Sequence, residues 1–426
     1  MAGWVLMAVP LALMGFGVPV FAALFAGAAV VLLFFMAVPP VALYQSMFGA
    51  MESYALLAIP FFIFAGELMA RGSVARRMVN LVGAVTGPVR GNVGVTTVAT
   101  TTLFGALSGS APATVATVGR LLLPALRKGG YPDTVSAGLL ASAGTIGVLV
   151  PPSIPLIVYG VAANASVPRL FAAGILPGLL VAGLTAFYVF IRAQRDGIQD
   201  KAVFDFRYLA RVTAEGGFAM LPAIVILGGI YGGIFSPTEA AGVAAVVAAV
   251  VVLVIYRDLD VMGVLECARD AVVLTAQVMV IVAAAGAFSW VLTVNGVPQS
   301  IAQMLSASAL PPWALLIAIN AALLLLGAIL DPIAAILIVT PVLAPVISAA
   351  GIDIVHFGVV IVLNLAIGLM TPPLGLSLFV AQGTLGLPLA TVLRGITPVL
   401  VVQLLALAIV TAMPALSLWL PAILFD

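Results

Sequence analysis

Residues 2–51, 134–168, 170–191 and 271–330 contain no Asp, Glu, Lys or Arg. Within these stretches the apolar residues run continuously and do not alternate, a pattern of helices and not of a membrane barrel. A helix needs about 20 residues to cross a bilayer's hydrocarbon, so several runs hold more than one membrane segment. Gly and Pro recur inside them, as expected where helices break and neighbours satisfy the freed backbone groups. The pattern predicts an all-α polytopic membrane protein. The N-terminal run 4–37 is expected as two short helices. It lacks the basic start of a signal peptide and is too long for one, so it reads as mature membrane structure.

Laid over itself at a shift of 221 positions, the chain brings several features into register. Pro151-Pro152 falls on Pro372-Pro373, Gly147 on Gly368, Gly130 on Gly351, Pro124 on Pro345 and Ser110 on Asp331. Gly174-Ile175 and Pro177 likewise match Gly395-Ile396 and Pro398. One offset held through a double proline predicts a duplication. The first repeat is expected over 1–191, a connecting loop over 192–217 and the second repeat over 218–426. Each repeat holds a hairpin (91–126 and 312–348) followed by an interrupted helix (134–163 and 355–386).

Basic residues then orient the halves, because cytoplasmic loops are enriched in Lys and Arg. Arg71, Arg76, Arg77 and Arg90 precede the first hairpin and Arg127-Lys128 ends it, so it enters and leaves from the cytoplasmic side. The segments 295–311 and 349–355 around the second hairpin contain no Lys or Arg, so that hairpin is expected to enter from the opposite side. The basic connector is cytoplasmic, 218–256 crosses out and back with a turn at Ser236-Pro237-Thr238-Glu239, and 397–420 crosses outward. Both termini then lie outside. Equivalent segments running oppositely form the inverted repeat common in secondary transporters.

Composition narrows the chemistry. Of 426 residues 64% are hydrophobic and 7% charged, against about 25% charged in soluble domains. The net charge of +1 offers no field for nucleic acid. Single residues Cys267 and His356 exclude a disulfide framework, a transition-metal cluster and a Cys-His nucleophile pair. His356 is expected to be solvated at an external boundary, and Glu67 and Glu239 to be solvated or paired near helix ends. No organic cofactor is expected.

The polar residues at membrane depth gather at four places. The first tip reads Leu107-Ser108-Gly109-Ser110-Ala111-Pro112 and the first break Gly144-Thr145-Ile146-Gly147 to Pro151-Pro152-Ser153. The second tip reads Gly327-Ala328-Ile329-Leu330-Asp331-Pro332 and the second break Asn364 to Gly368-Leu369-Met370-Thr371-Pro372-Pro373. Tandem prolines remove donors and free the carbonyls before them, and such carbonyls in a membrane require a donor or a cation. Unwound carbonyls with Ser and Thr hydroxyls suit a hard cation such as Na⁺, and the following half-helices aim positive ends at an anion. Two cation sites flanking one carboxylate site are expected. Plainer roles stand beside these: a kink at each double proline, small-residue packing at Ser108 and Ser110, and a helix cap at Asp331. Asn364 could bridge helices, and Thr145 or Thr371 could bond back to its own helix.

Together these segments resemble the large membrane subunit of tripartite ATP-independent periplasmic (TRAP) transporters, within the ion transporter superfamily. The resemblance rests on Gly66-Glu67-Leu68-Met69, Phe104 to Ser110, Pro151 to Pro155 with Tyr159-Gly160, and Ser236 to Ala241. In the second half it rests on His356-Phe357-Gly358, Asn364-Leu365 and Gly368 to Gly375, and it spans essentially the whole chain. It implies a Na⁺-coupled importer of a carboxylate such as sialic acid or a C4-dicarboxylate, in a bacterial inner membrane. It implies a periplasmic substrate-binding protein, a small four-helix membrane subunit and an elevator movement. It implies one Na⁺ site at Ser108, Ser110, Thr145 and Gly147 and a second at Gly327, Asp331, Gly368 and Thr371. The substrate would lie near Ser108, Ser153, Asn364 and Thr371. The tip Ile329-Leu330-Asp331 departs from the family's Phe-Met-Asp but keeps the carboxylate. A stand-alone Na⁺/dicarboxylate or citrate symporter is the nearest rival. An intramembrane enzyme would need a nucleophile–base pair or metal site at membrane depth, which the residues do not suggest.

Overall fold

The computed structural model describes residues 2–198, 200, 205–307, 311–372 and 374–426, and among them there is no β-strand. Pro373 of the second double proline and Lys201 of the basic connector lie outside the described residues. Seven helices are long and apolar enough to cross a membrane, or eight when one bent pair is taken as a span.

The N-terminal run forms α1 (Ala2–Gly15) and α2 (Val20–Phe35), packed on each other around Gly17 at φ 82°. Then come α3 (Val41–Met51), α4 (Ala58–Arg71) and α5 (Val74–Thr86). The first hairpin is α6 (Asn92–Ser108) and α7 (Ala111–Lys128). The first interrupted helix is α8 (Asp133–Leu149) and α9 (Ile154–Ala162), bent by 45° at the double proline. A long α10 (Val167–Arg195) ends the first half. The second half runs through α11 (Phe206–Gly216), α12 (Leu221–Tyr231), α13 (Pro237–Val250) and the 34-residue α14 (Val261–Val294). There follow α15 (Val297–Ala307), the second hairpin α16 (Pro312–Gly327) and α17 (Pro332–Ala349), then α18 (Ile354–Gly368) and α19 (Leu376–Leu385). The chain closes with α20 (Leu389–Ala412) and α21 (Ala415–Phe425).

Local chemistry accounts for several boundaries. Ser236 and Glu239 form a capping box at α13: Ser236 N–H donates to Glu239 Oε2 at 2.8 Å and Glu239 N–H to Ser236 Oγ at 3.3 Å. The start of α6 is capped from far along the chain. Asp200 accepts from the backbone N–H groups of Gly91 at 2.8 Å, Asn92 at 3.2 Å and Val93 at 3.0 Å. One carboxylate thus ties the connector between the halves to the base of the first hairpin and favours the helix dipole.

Three expectations are corrected. The connector 192–217 is not all loop, because Asp205 caps α11 by accepting from Arg207 N–H at 2.8 Å and Tyr208 N–H at 3.2 Å. The outward segment 397–420 is divided between α20 and α21 at Met413-Pro414, where proline lacks the N–H a continuing helix needs. His356 is not solvated: it is 1% exposed, with Nδ1 3.3 Å from Ser417 Oγ. It is the third residue of α18, and its ring is overlaid by α21, an element the continuous apolar run 397–420 concealed.

Packing divides the helices into two groups. In one, α4 packs on α13 and α14, α14 on α2 and α3, and α12 on α13. In the other, α8 is central, with α6, α7, α18, α19 and α20 around it, and α10 packs on α20 and α21. The closest approach in this second group is between α8 and α20, where a Cβ on Gly395 would stand 1.9 Å from Thr134 O. A Cβ on Gly138 would stand 2.0 Å from Gly395 O, so no larger residue fits at this distance. The groups meet mainly where α4 and α5 touch α6, and where α14 and α15 touch α17.

Candidate functional site

Each hairpin crosses an interrupted helix at a pair of glycines. A Cβ on Gly147 of α8 would lie 2.3 Å from Gly105 Cα of α6. A Cβ on Gly368 of α18 would lie 2.6 Å from Gly327 Cα of α16. Real side chains never sit so close, so backbone meets backbone at both crossings. The end of the first hairpin limb is thereby held against the last turns before each break. Helix starts repeat the spacing read from the sequence: Ala111 and Pro332, and Asp133 and Ile354, are each 221 positions apart.

Around the first tip the polar atoms are almost all oxygens. Ser108 Oγ lies 2.8 Å from Thr114 Oγ1, 3.3 Å from Ser110 O and 3.4 Å from Gly105 O. Ser110 Oγ accepts from Ala113 N–H at 3.4 Å and so caps α7. Thr145, buried in α8, is turned elsewhere: its hydroxyl lies 2.6 Å from Ser142 O and 2.9 Å from Gln403 Oε1 on α20. Ser153 is buried and caps α9 through Leu156 N–H at 3.4 Å.

At the second tip Asp331 caps α17, accepting from Ile333 N–H at 2.9 Å, and its side chain remains exposed to the cavity between the tips. Thr371 bonds back to Ile367 O at 2.9 Å. Beyond α18 the chain folds round its own carbonyls, with Gly375 N–H reaching Thr371 O at 3.2 Å and Ser377 N–H reaching Leu369 O at 3.0 Å. Asn364 bridges helices: its amide Nδ2 donates to Asn320 Oδ1 at 2.7 Å and Asn320 O at 3.0 Å. Asn320 in turn donates to Thr411 Oγ1 at 3.1 Å.

A cavity of about 400 Å³ lies where the two tips approach α4 and α14. The first residues of three helices line it: Ala111 to Ala113 of α7, Ile154 and Pro155 of α9, and Pro332 and Ile333 of α17. Each start is capped, by Ser110, Ser153 and Asp331, and holds a proline without an N–H. What the three offer the cavity is therefore the partial positive charge of their helix dipoles, at α17 already facing the Asp331 carboxylate. Ser108, Ser110 and Asp331 line the same space. Thr145, Gly147, Ser153, Gly327, Asn364, Gly368 and Thr371 are not among its lining residues. The glycines act as the crossings behind it, and Asn364 and Thr145 face neighbouring helices.

This arrangement has counterparts among known proteins. Residues 7–416 match the family described as the tripartite ATP-independent periplasmic transporter, DctM component. The chain belongs to this family. A C4-dicarboxylate TRAP transporter large permease from Pseudomonas aeruginosa is 40% identical over 375 residues, covering 88% of each chain. A sialic acid TRAP transporter large permease from Vibrio cholerae is 35% identical, again covering 88% of each chain. The fold resembles that of the YdaH transporter of Alcanivorax borkumensis, with a TM-score of 0.64 at 15% identity over 87% of this chain and 88% of that one. The chain is therefore a multi-pass TRAP large permease of a tripartite transporter family, and both relatives named above are permeases.

Several residues around this candidate site were given no role in it by the sequence. Thr114 supplies the nearest oxygen to Ser108, and Gln403 holds Thr145. Glu67 of α4 and Gln277 of α14 line the cavity from the other helix group. Thr114 lies one helical turn past the Ser110 cap, a spacing that could have revealed it. Gln277 and Gln403 are isolated polar residues in apolar helices, a signal of interior contact. Among the described residues no group of three His, Cys, Asp or Glu could hold a metal ion. The donors at the tips are oxygens that suit hard cations.

Proposed function

We propose that this TRAP large permease imports a carboxylate-bearing organic solute coupled to Na⁺. The convergence of three helix starts on a cavity lined by Ser108, Ser110 and Asp331 carries this reading. A carboxylate there meets helix dipoles and hydroxyls and needs no fixed cation. Neutralisation comes from Na⁺ at the tips. Ser108, Ser110, Thr145 and Gly147 hold one ion, and Gly327, Asp331, Gly368 and Thr371 hold another. Thr145 and Thr371 contribute backbone oxygen, since their hydroxyls already have partners. Ser108, Ser153, Asn364 and Thr371 surround the substrate when the site is filled. Relatives named for C4-dicarboxylates and sialic acid support a carboxylate.

The two halves act as inverted repeats, with hairpins entering from opposite sides of the bacterial inner membrane and both termini in the periplasm. The group around α8 is the moving body and the α4–α13–α14 group the scaffold. A site of carbonyls and helix ends that opened to both sides at once would leak ions, so it is carried across whole. Each Na⁺ moving inward with the membrane potential contributes about 2.3 kcal/mol per 100 mV. A periplasmic binding protein delivers the solute, and a small four-helix membrane subunit completes the scaffold.

The test is uptake of labelled succinate and sialic acid into proteoliposomes holding this chain with its small partner. Uptake that needs both an inward Na⁺ gradient and the binding protein is the expected result. Uptake with Na⁺ alone would make the chain a stand-alone symporter, and indifference to Na⁺ would overturn the ion sites.

A further inference from the structure

Two carboxylates line the cavity between the tips, and they belong to different helix groups. Asp331 starts α17 of the second hairpin, whereas Glu67 stands on α4, which packs on α13 and α14. A charge carried by the hairpins acts on a bound ligand wherever the hairpins stand. A charge on the scaffold acts only in the position where the site lies beside it.

Helix α4 meets the first tip one residue before Glu67, where a Cβ on Gly66 would lie 3.1 Å from Ser108 Cα. Glu67 is half-buried, and among the described residues its carboxylate makes no salt bridge. Arg71, one turn further along α4, is held by α14: it donates to Glu266 at 2.8 Å and also to Asp270. Two carboxylates thus share that one guanidinium, and nothing there offsets Glu67.

The place of Glu67 along the scaffold gives this charge a direction. Arg71, Arg76 and Arg77 mark the end of α4 as cytoplasmic. The cavity touches α4 in its second half, at Ile63, Gly66, Glu67 and Ala70, and α14 from Leu274 to Ile281. The tips therefore stand against the cytoplasmic half of the scaffold. Further along α14 a separate space of about 390 Å³ lies between Ser289 and Trp290 and helices α9 and α17, and no residue lining it is ionisable. From Gln277 to Ser289 the rise along α14 is roughly 18 Å. A site carried toward that end leaves the Coulomb field of Glu67 behind.

We propose that Glu67 sets the solute affinity on the cytoplasmic side. It repels the carboxylate when the site faces inward and so promotes release into the cytoplasm. The same field favours Na⁺, so the two ligands respond with opposite sign. Asp331 has no such effect, because it travels with the site. The role of Glu67 rests on the Na⁺–carboxylate and elevator reading above.

Inhibition of uptake from the inside tests it. Proteoliposomes holding this chain with its small partner receive the binding protein outside, which selects molecules oriented for import. They are loaded with rising internal succinate or sialic acid, and the internal concentration that halves the initial Na⁺-driven uptake is measured. Glu67→Gln should lower that concentration about tenfold, the scale of one charge acting across a small cavity. Internal Na⁺ should meanwhile inhibit at a higher concentration than in the wild type. A general defect in the fold would not tighten one ligand and loosen the other. Glu67→Asp keeps the charge and should behave as the wild type. Should Glu67→Gln fail to fold, Gln277→Glu adds a carboxylate on the opposite wall and should raise the internal solute concentration needed. Inhibition that ignores these changes, shifts of the same sign for both ligands, or Glu67→Asp behaving like Glu67→Gln would overturn the inference. Wild-type vesicles that take up neither solute would instead sink the carboxylate reading itself, and this role of Glu67 with it.

Discussion

At the first tip, Ser108 Oγ, Thr114 Oγ1 and the Ser110 carbonyl make an oxygen cluster without formal charge, whereas the second tip offers one carboxylate, Asp331, exposed to the cavity. The turns differ as well. Two residues, Gly109 and Ser110, reverse the first hairpin, with Gly109 at φ 62°. Four residues, Ala328 to Asp331, reverse the second, where no left-handed residue is used. What stays constant is the glycine crossing behind each tip. Backbone approach sets where the two tips lie, and side chains then give each tip its own chemistry.

The largest effects should come from breaking that shared crossing. Gly147→Ala places a methyl 2.3 Å from Gly105 Cα, backbone that cannot move aside. It should cost about 3 kcal/mol or more and abolish uptake. Gly327→Ala, whose nearest atom is Leu365 O at 3.0 Å, should be milder. Thermal melting in detergent compares them, and equal melting points would refute the asymmetry. Next in size is the charge difference between the tips. Asp331→Asn keeps the N-cap but loses the charge, so the Na⁺ concentration for half-maximal uptake should rise roughly thirtyfold, about 2 kcal/mol. Ser108→Ala should raise it only about fivefold, near 1 kcal/mol. Adding Thr114→Val to Ser108→Ala should cost little more, because the two hydroxyls act as one unit.

Turn geometry should matter less. Gly109→Ala forces a left-handed alanine toward Ile154 Cδ1 at 3.0 Å and should lower stability by about 1–2 kcal/mol. Ala328→Gly at the second tip should change little, so a large loss there would show that its turn is strained after all. The smallest effect serves as a control outside both tips. Ser236→Ala breaks the α13 capping box and should cost about 1 kcal/mol with no change in Na⁺ dependence.

The sequence by itself determined the helical membrane class, placed helix pairs near 91–126 and 312–348 and a break at Pro151-Pro152, and offered the cap at Asp331 as one of two roles. These follow from signals local to the chain: uncharged runs, tandem prolines and an Asp-Pro helix start. The turn at 236–239 was legible for the same reason, since a capping box joins residues three apart. What only the tertiary structure decided involves partners far apart in number. Asp200 capping α6, Gln403 holding Thr145, Asn320 holding Asn364 and α21 burying His356 are all of this kind. In a chain so apolar, hydropathy does not distinguish a helix face turned to lipid from one turned to protein. An isolated polar residue therefore signals that it has a partner without saying where. The glycine crossings lie between these cases, because the offset marked Gly147 and Gly368 while the Cβ-free approach of two backbones gave them their role.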